Sequence, residues 1–120
     1  MLVLYKVNKK IYLCIMKGKQ KILFVCHGNI CRSPMAEFIM KQMVDKAGRK
    51  AEYEIESAAT STEELGNDLY PPAKSCLRGH GVPFVRREAR QITRADYEYF
   101  DRIFLMDNNN YVWLSRLLPD

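Results

Sequence analysis

Residues 22–25, Ile-Leu-Phe-Val, form a continuous apolar run, the pattern of a strand buried on both faces of a parallel sheet. After seven intervening residues, Ser33 and Pro34 mark a helix start: a hydroxyl at the cap, then a residue whose missing N–H costs nothing in the first turn. Glu37 lies four positions beyond Ser33, so the cap lacks the reciprocal partner of a capping box. Apolar side chains recur at Met35, Phe38, Ile39, Met43 and Ala47 before Gly48 ends the helix. Residues 26–32 must therefore loop from strand end to helix start. Backbone N–H groups of such a loop converge at the positive end of the helix dipole, and this makes an anion site.

Side chains in the loop add chemistry to that position. Arg32 supplies a planar fork of donors matched to two oxygens of a phosphate. Cys26 opens the loop, so its sulfur is expected beneath the bound anion, in surroundings that favour the reactive thiolate. A thiolate held under phosphorus is a nucleophile for phosphoryl transfer. Gly28 is expected to let the loop turn and the backbone approach the ligand. Asn29 suits a left-handed conformation, with a side chain free to brace the loop.

Residues 26–37 read Cys-His-Gly-Asn-Ile-Cys-Arg-Ser-Pro-Met-Ala-Glu, which resembles the signature of the low-molecular-weight protein tyrosine phosphatases. The resemblance continues at 57–61 (Ser-Ala-Ala-Thr-Ser), 66–67, 75–81, 89–93, 100–101 and 106–107, in the family's order over roughly residues 20–119. It implies hydrolysis of phosphotyrosine, in a protein or a small aryl phosphate, through a phosphocysteine intermediate. On this resemblance Cys26 is the nucleophile and Arg32 the clamp, with Cys26, His27, Gly28, Asn29, Ile30, Cys31, Arg32 and Ser33 forming the phosphate loop. Ser33 stabilises the leaving thiolate, and Asn29 with Ser57 holds the loop open. Cys31 either forms a reversible, protective disulfide with Cys26 or merely packs behind the loop.

The alternatives are a phosphate-binding remnant impaired in catalysis, an arsenate reductase and a phosphoarginine phosphatase. Arsenate reduction in related enzymes passes oxidation to further cysteines, and residues 98–112 contain none. The arginine-phosphatase branch favours Thr where Ile30 stands. Classical tyrosine phosphatases and rhodaneses also use a Cys loop, but without this Gly-Asn-x-Cys-Arg-Ser core.

With 120 residues, 48% of them hydrophobic, the chain supports one small domain. Its formal charge of +5 fits a phosphorylated or acidic substrate. No basic stripe with interleaved aromatics points to nucleic acid. Cys14, Cys26, Cys31 and Cys76 show no Cys-x-x-Cys or zinc spacing. No metal or cofactor is expected, and a reducing cytoplasm is the default. The apolar runs near the N-terminus are too short to span a bilayer. The core is read as 21–119 and residues 1–20 as an extension. Met16 is a candidate start, with 1–15 functionally silent, or alternatively 10–16 adds an edge strand.

Strands are expected at 22–25, 53–58 and 102–106, and helices after Pro71 and Pro72, from Thr93 to Asp96 onward, and after Asp107. Alternating strands and helices give a three-layer α/β fold with a parallel, flavodoxin-like sheet in the order 2-1-3. Cys76 and Trp113 are expected in the core and His27 at the mouth of the site. Asp107 is expected to cap its helix and to help order the loop.

Three departures from the family pattern stand out. Its general acid, an Asp before Pro, and its fourth strand and last helix lie beyond the region that ends here at Asp120. Glu63 and Glu64 stand where relatives often place an aromatic, which disfavours an anionic substrate. Arg87 stands where many relatives have His in the loop-supporting network. The strand at 102–106 is then expected as an exposed edge, marginally folded or completed through self-association or a partner chain.

Overall fold

The computed structural model describes residues 2–7 and 18–118. Its elements are β1 (Val3–Val7), β2 (Gln20–Cys26), α1 (Arg32–Lys46), β3 (Tyr53–Ala59), α2 (Pro71–Gly79), α3 (Arg94–Tyr99), β4 (Arg102–Leu105) and α4 (Asn108–Leu117). A single 3₁₀ turn, Lys50–Glu52, precedes β3. No helix among the described residues is long and apolar enough to cross a membrane.

The sheet order is β1-β4-β2-β3. β2 pairs in parallel with β3 and with β4, so the three expected strands lie in the expected order. Their alternation divides the apolar side chains between two faces. Leu23, Val25, Ile103 and Leu105 pack with Ile92, Phe100 and Leu114 on one face. Ile22, Phe24 and Ile55 face Ala36, Met40 and Val44 of α1 on the other. Beyond α1, Phe38 packs on Leu69, Ala73 and Leu77 of the α2 layer. Every β2 carbon skeleton from Ile22 to Cys26 is buried, as a central strand requires.

The edge expected to be open is covered. β1 pairs antiparallel with β4, matching Val3 to Leu105 and Val7 to Arg102, with a bulge between Leu4 and Lys6. Tyr5, at the bulge, places its ring 6.1 Å from that of Tyr97 and 5.6 Å from that of Tyr111. Lys6 bonds the Tyr97 carbonyl and lies over the same ring. Residues 3–7 are therefore part of the sheet, and β4 needs no second chain to satisfy that edge. The alternative edge strand at 10–16 lies outside the described residues.

Three local expectations are corrected. α1 begins at Arg32 with Cys31 as its cap residue and no side-chain cap, because the Ser33 hydroxyl is drawn to partners across the loop. The α1 face toward the sheet is Ala36, Met40 and Val44 at four-residue spacing, leaving Ile39 and Met43 exposed. Cys76 and Trp113 are also exposed: α2 buries Ala73 and Leu77, one turn apart, and α4 buries Leu114.

Other helix ends follow the sequence closely. At the end of α1, Gly48 has φ +71, and Gly48 N and Arg49 N bond the carbonyls of Asp45 (3.0 Å) and Val44 (2.8 Å). That is a Schellman cap, which needs the left-handed residue glycine provides. Thr93 with Asp96, and Asp107 with Asn110, form reciprocal capping boxes.

Candidate active site

The loop from Cys26 to the start of α1 leaves the carboxyl end of the central strand, where open α/β sheets place their ligands. Cys26 is buried, and its Sγ is the focus of three groups. Ser33 Oγ lies at 3.0 Å, the Asn29 N–H donates from 3.3 Å and the Ser33 N–H from 3.4 Å. Donors so placed stabilise a sulfur anion where one forms.

Asn29 takes the left-handed conformation expected of it, with φ 59, and is completely buried. Its Nδ2 donates to Ser33 Oγ (2.8 Å) and Ser57 Oγ (2.9 Å). Its Oδ1 accepts from Arg87 Nη2 and from the Arg90 backbone N–H at 3.2 Å. Ser57 in turn donates to Glu37 Oε1 at 2.6 Å. The predicted supporting residues Asn29, Ser33 and Ser57 are thus brought together around the sulfur, and Arg87 joins them. The φ of Gly28 is not positive. A Cβ there would meet Glu64 Cγ at 3.2 Å, so close packing also constrains this position.

The remaining loop residues are held from outside. The Ile30 carbonyl accepts from Tyr70 N at 2.8 Å. Cys26, Cys31 and Cys76 are free thiols. Burial pushes the Cys31 thiol up from its ordinary value, and the neighbouring Cys26 adds to this. His27 flanks the mouth as expected, its Nε2 2.6 Å from Glu63 Oε2 and its ring 5.9 Å from that of Trp113. Glu63 is therefore engaged by the loop, and Glu64 accepts from Asn67 Nδ2 at 2.8 Å. A groove of about 350 Å³ beside His27 is lined by Thr60, Glu63, Gln91, Trp113 and Arg116.

Arg32 is placed at the loop's end but is turned to a protein anion. Its Nη1 lies 2.5 Å from Asp107 Oδ2, and the two side chains are 47% and 37% exposed. The Arg32 hydrogen bond is the main reason the Asp107 carboxyl titrates below its ordinary range. Asp107 so combines capping of α4 with a tie to the clamp.

Behind the loop, Asp68 Oδ2 pairs with Lys74 Nζ at 2.7 Å and Oδ1 accepts the Arg87 N–H at 3.1 Å. The Lys74 hydrogen bond leads the causes that hold Asp68 at about 2. Asp68, Arg90 and the Glu37–Ser57 contact were not singled out by sequence reading. Their roles depend on chain segments meeting across the fold, and only the placement of Arg87 within the family pattern hinted at that side of the loop.

A family model described as low molecular weight phosphotyrosine protein phosphatase matches residues 21–119. The low molecular weight phosphotyrosine protein phosphatase of Rattus norvegicus is 43% identical over 99 residues, covering 82% of this chain and 62% of that protein. The chain thus spans less than two thirds of the length of this relative. Among solved structures, the low molecular weight protein tyrosine phosphatase of Streptococcus pyogenes is 41% identical with a TM-score of 0.73, covering 81% of this chain and 63% of that one. A Drosophila arginine phosphatase is 36% identical with a TM-score of 0.75, covering 81% and 60% respectively. The chain belongs to the low molecular weight phosphotyrosine protein phosphatase family.

Proposed function

We propose that this chain hydrolyses phosphotyrosine, in a protein or a small aryl phosphate, through a covalent phosphocysteine. The observation that carries the reading is the Cys26 sulfur at the convergence of Asn29 N–H, Ser33 N–H and Ser33 Oγ, within 3.0 to 3.4 Å. Family membership and the phosphatase names of the relatives support it.

In this reading the loop 26–33 cradles the phosphate, and Arg32 exchanges Asp107 for two phosphate oxygens. Cys26 Sγ attacks phosphorus, and the electron pair of the breaking P–O bond leaves on the tyrosyl oxygen, which takes up a proton from solvent. Water then attacks the phosphocysteine. The P–S bond breaks, its electrons return to sulfur, and inorganic phosphate departs. The Ser33 hydroxyl stabilises the returning thiolate, while Asn29 and Ser57 keep the loop open. Cys31, on the same loop, is assigned the resolving role in a reversible disulfide with Cys26. The free thiols of Cys26, Cys31 and Cys76 among the described residues are consistent with a cytoplasmic setting, to which we assign the chain. Phosphoarginine is the less favoured substrate because Ile30 occupies the position where that branch favours Thr.

The test compares an aryl phosphate having an acidic leaving group, such as p-nitrophenyl phosphate, with phosphotyrosine. Acid quenching followed by peptide mass spectrometry should find phosphate on Cys26, and Cys26→Ser should abolish both adduct and turnover. An adduct that forms in a burst with little turnover would instead establish the impaired phosphate-binding remnant. Absence of any adduct while the wild type still turns over substrate would rule out the covalent route.

A further inference from the structure

We propose that Arg87 is a positioning residue whose permanent charge heads a one-way hydrogen-bond relay ending on the Cys26 sulfur. The relay is read from geometry, and only its consequence for turnover rests on the hydrolytic function above.

Its direction is fixed by what each group is able to do. Arg87 Nη2 and the Arg90 N–H both contact Asn29 Oδ1. A guanidinium and a backbone N–H only donate, so the Asn29 oxygen must face them and its NH₂ must face the serines. Asn29 Nδ2 then donates to Ser33 Oγ at 2.8 Å. The Cys26 thiol donates to Ser33 Oγ at 3.0 Å while the Ser33 O–H donates to the Ala58 carbonyl at 3.4 Å; once the thiol proton is gone the sulfur only accepts, and it is then the nearer and stronger partner for the same O–H. Each link therefore points its positive end at Cys26, and buried links of this kind polarise one another.

The head of the relay is a half-buried cation with no proton to lose at ordinary pH. Asp68 is shared between the Arg87 backbone N–H and Lys74, so it does not neutralise the guanidinium outright. The other charged groups around the site are already engaged: Arg32 with Asp107, Arg90 with Asp96 and Glu56, and Glu37 with Lys41. Cys31 shares the loop with the nucleophile. Burial lowers the Arg87 pKa, and negative charge on Glu37, Asp68 and Cys26 opposes this, so the guanidinium and the sulfur interact electrostatically.

The experiment follows alkylation of Cys26 by iodoacetamide from about pH 4 to 9, resolved by peptide mass spectrometry with exposed Cys76 as internal reference. Arg87→Gln keeps a donor and loses the charge. Its half-maximal pH should rise by about one unit, slowing alkylation roughly tenfold on the acid side. Arg87→Lys should restore most of the wild-type curve. Arg87→His should add an inflection at about pH 6.5, which reads the relay within one folded variant even if Arg87→Gln does not fold. A purely structural role would lower the thermal midpoint of these variants while leaving the pH profile unchanged, and that result overturns the proposal. A shifted profile in a chain that turns over no aryl phosphate upholds the relay and refutes the hydrolytic reading alone.

Discussion

Replacing Asn29 by Ala removes the brace on which the loop depends, and its cost can be worked out from the bonds it makes. The side chain joins Ser33, Ser57, Arg87 and the Arg90 N–H in four hydrogen bonds. At a net 0.5–1.5 kcal/mol for a typical bond, and more where a charged or buried partner is orphaned, the loss is about 3–5 kcal/mol. The residue also sits at φ 59, a conformation that costs an L-residue with a Cβ about 1 kcal/mol relative to glycine. Asn29→Gly should therefore lose the same bonds yet remain about 1 kcal/mol more stable than Asn29→Ala. Set against the roughly 5–15 kcal/mol of a typical domain, either change is severe. Urea unfolding at neutral pH measures both, followed by far-UV circular dichroism and by fluorescence of Trp113, the single tryptophan. An Asn29→Ala protein within about 1 kcal/mol of wild type would refute the claim that these contacts hold the loop. Glycine proving no better than alanine would refute the strain argument.

Three further outcomes are expected. Asp107→Asn keeps a good cap residue for α4 but removes the competing anion from Arg32, so inorganic phosphate should bind about two- to fivefold more tightly, the scale of an exposed ion pair. Isothermal titration checks this, and the wild-type difference should vanish at pH values low enough to protonate Asp107, which lies below the ordinary carboxylate range because of Arg32. Asp68 is held at about 2 chiefly by Lys74, so its contribution is complete above its ordinary pKa and disappears as pH falls through the folded value. Asp68→Asn should cost about 1–2 kcal/mol at neutral pH, less than the full shift implies because Lys74 is partly exposed, and flatten the acid limb of a stability profile between about pH 4 and 2. Deleting residues 2–7 bares the β4 edge and removes the Tyr5 contacts with Tyr97 and Tyr111. Sedimentation velocity should then show concentration-dependent self-association that the intact chain lacks.

Much of the architecture was legible because it is written locally. The apolar run at 22–25 with Ser33 and Pro34 after the loop announces a central strand feeding a helix, and Pro71, Thr93 and Asp107 announce three more helix starts. The left-handed role of Asn29 follows from side-chain chemistry alone. What escaped depends on distant partners. Ser33 has the chemistry of a cap, but Asn29 and Cys26 claim its hydroxyl, and no local pattern encodes that competition. Cys76 and Trp113 sit on amphipathic helices whose angle to the sheet decides exposure, and spacing alone does not give that angle. The pairing of β1 with β4 joins residues on either side of the whole core, so the short run around Leu4 reads as a stray tail until its partner is known.

That same pairing orders the events of folding. β2, α1 and β3 are neighbours along the chain and find one another through short closures, whereas Val3 meets Leu105 only after a closure whose length-dependent entropy is about 4 kcal/mol. On the ribosome β1 emerges before β4 and lacks its sheet partner until β4 follows it out. β1 is thus made before the strand it pairs with and is seated only after it, as a latch on the β4 edge of the sheet.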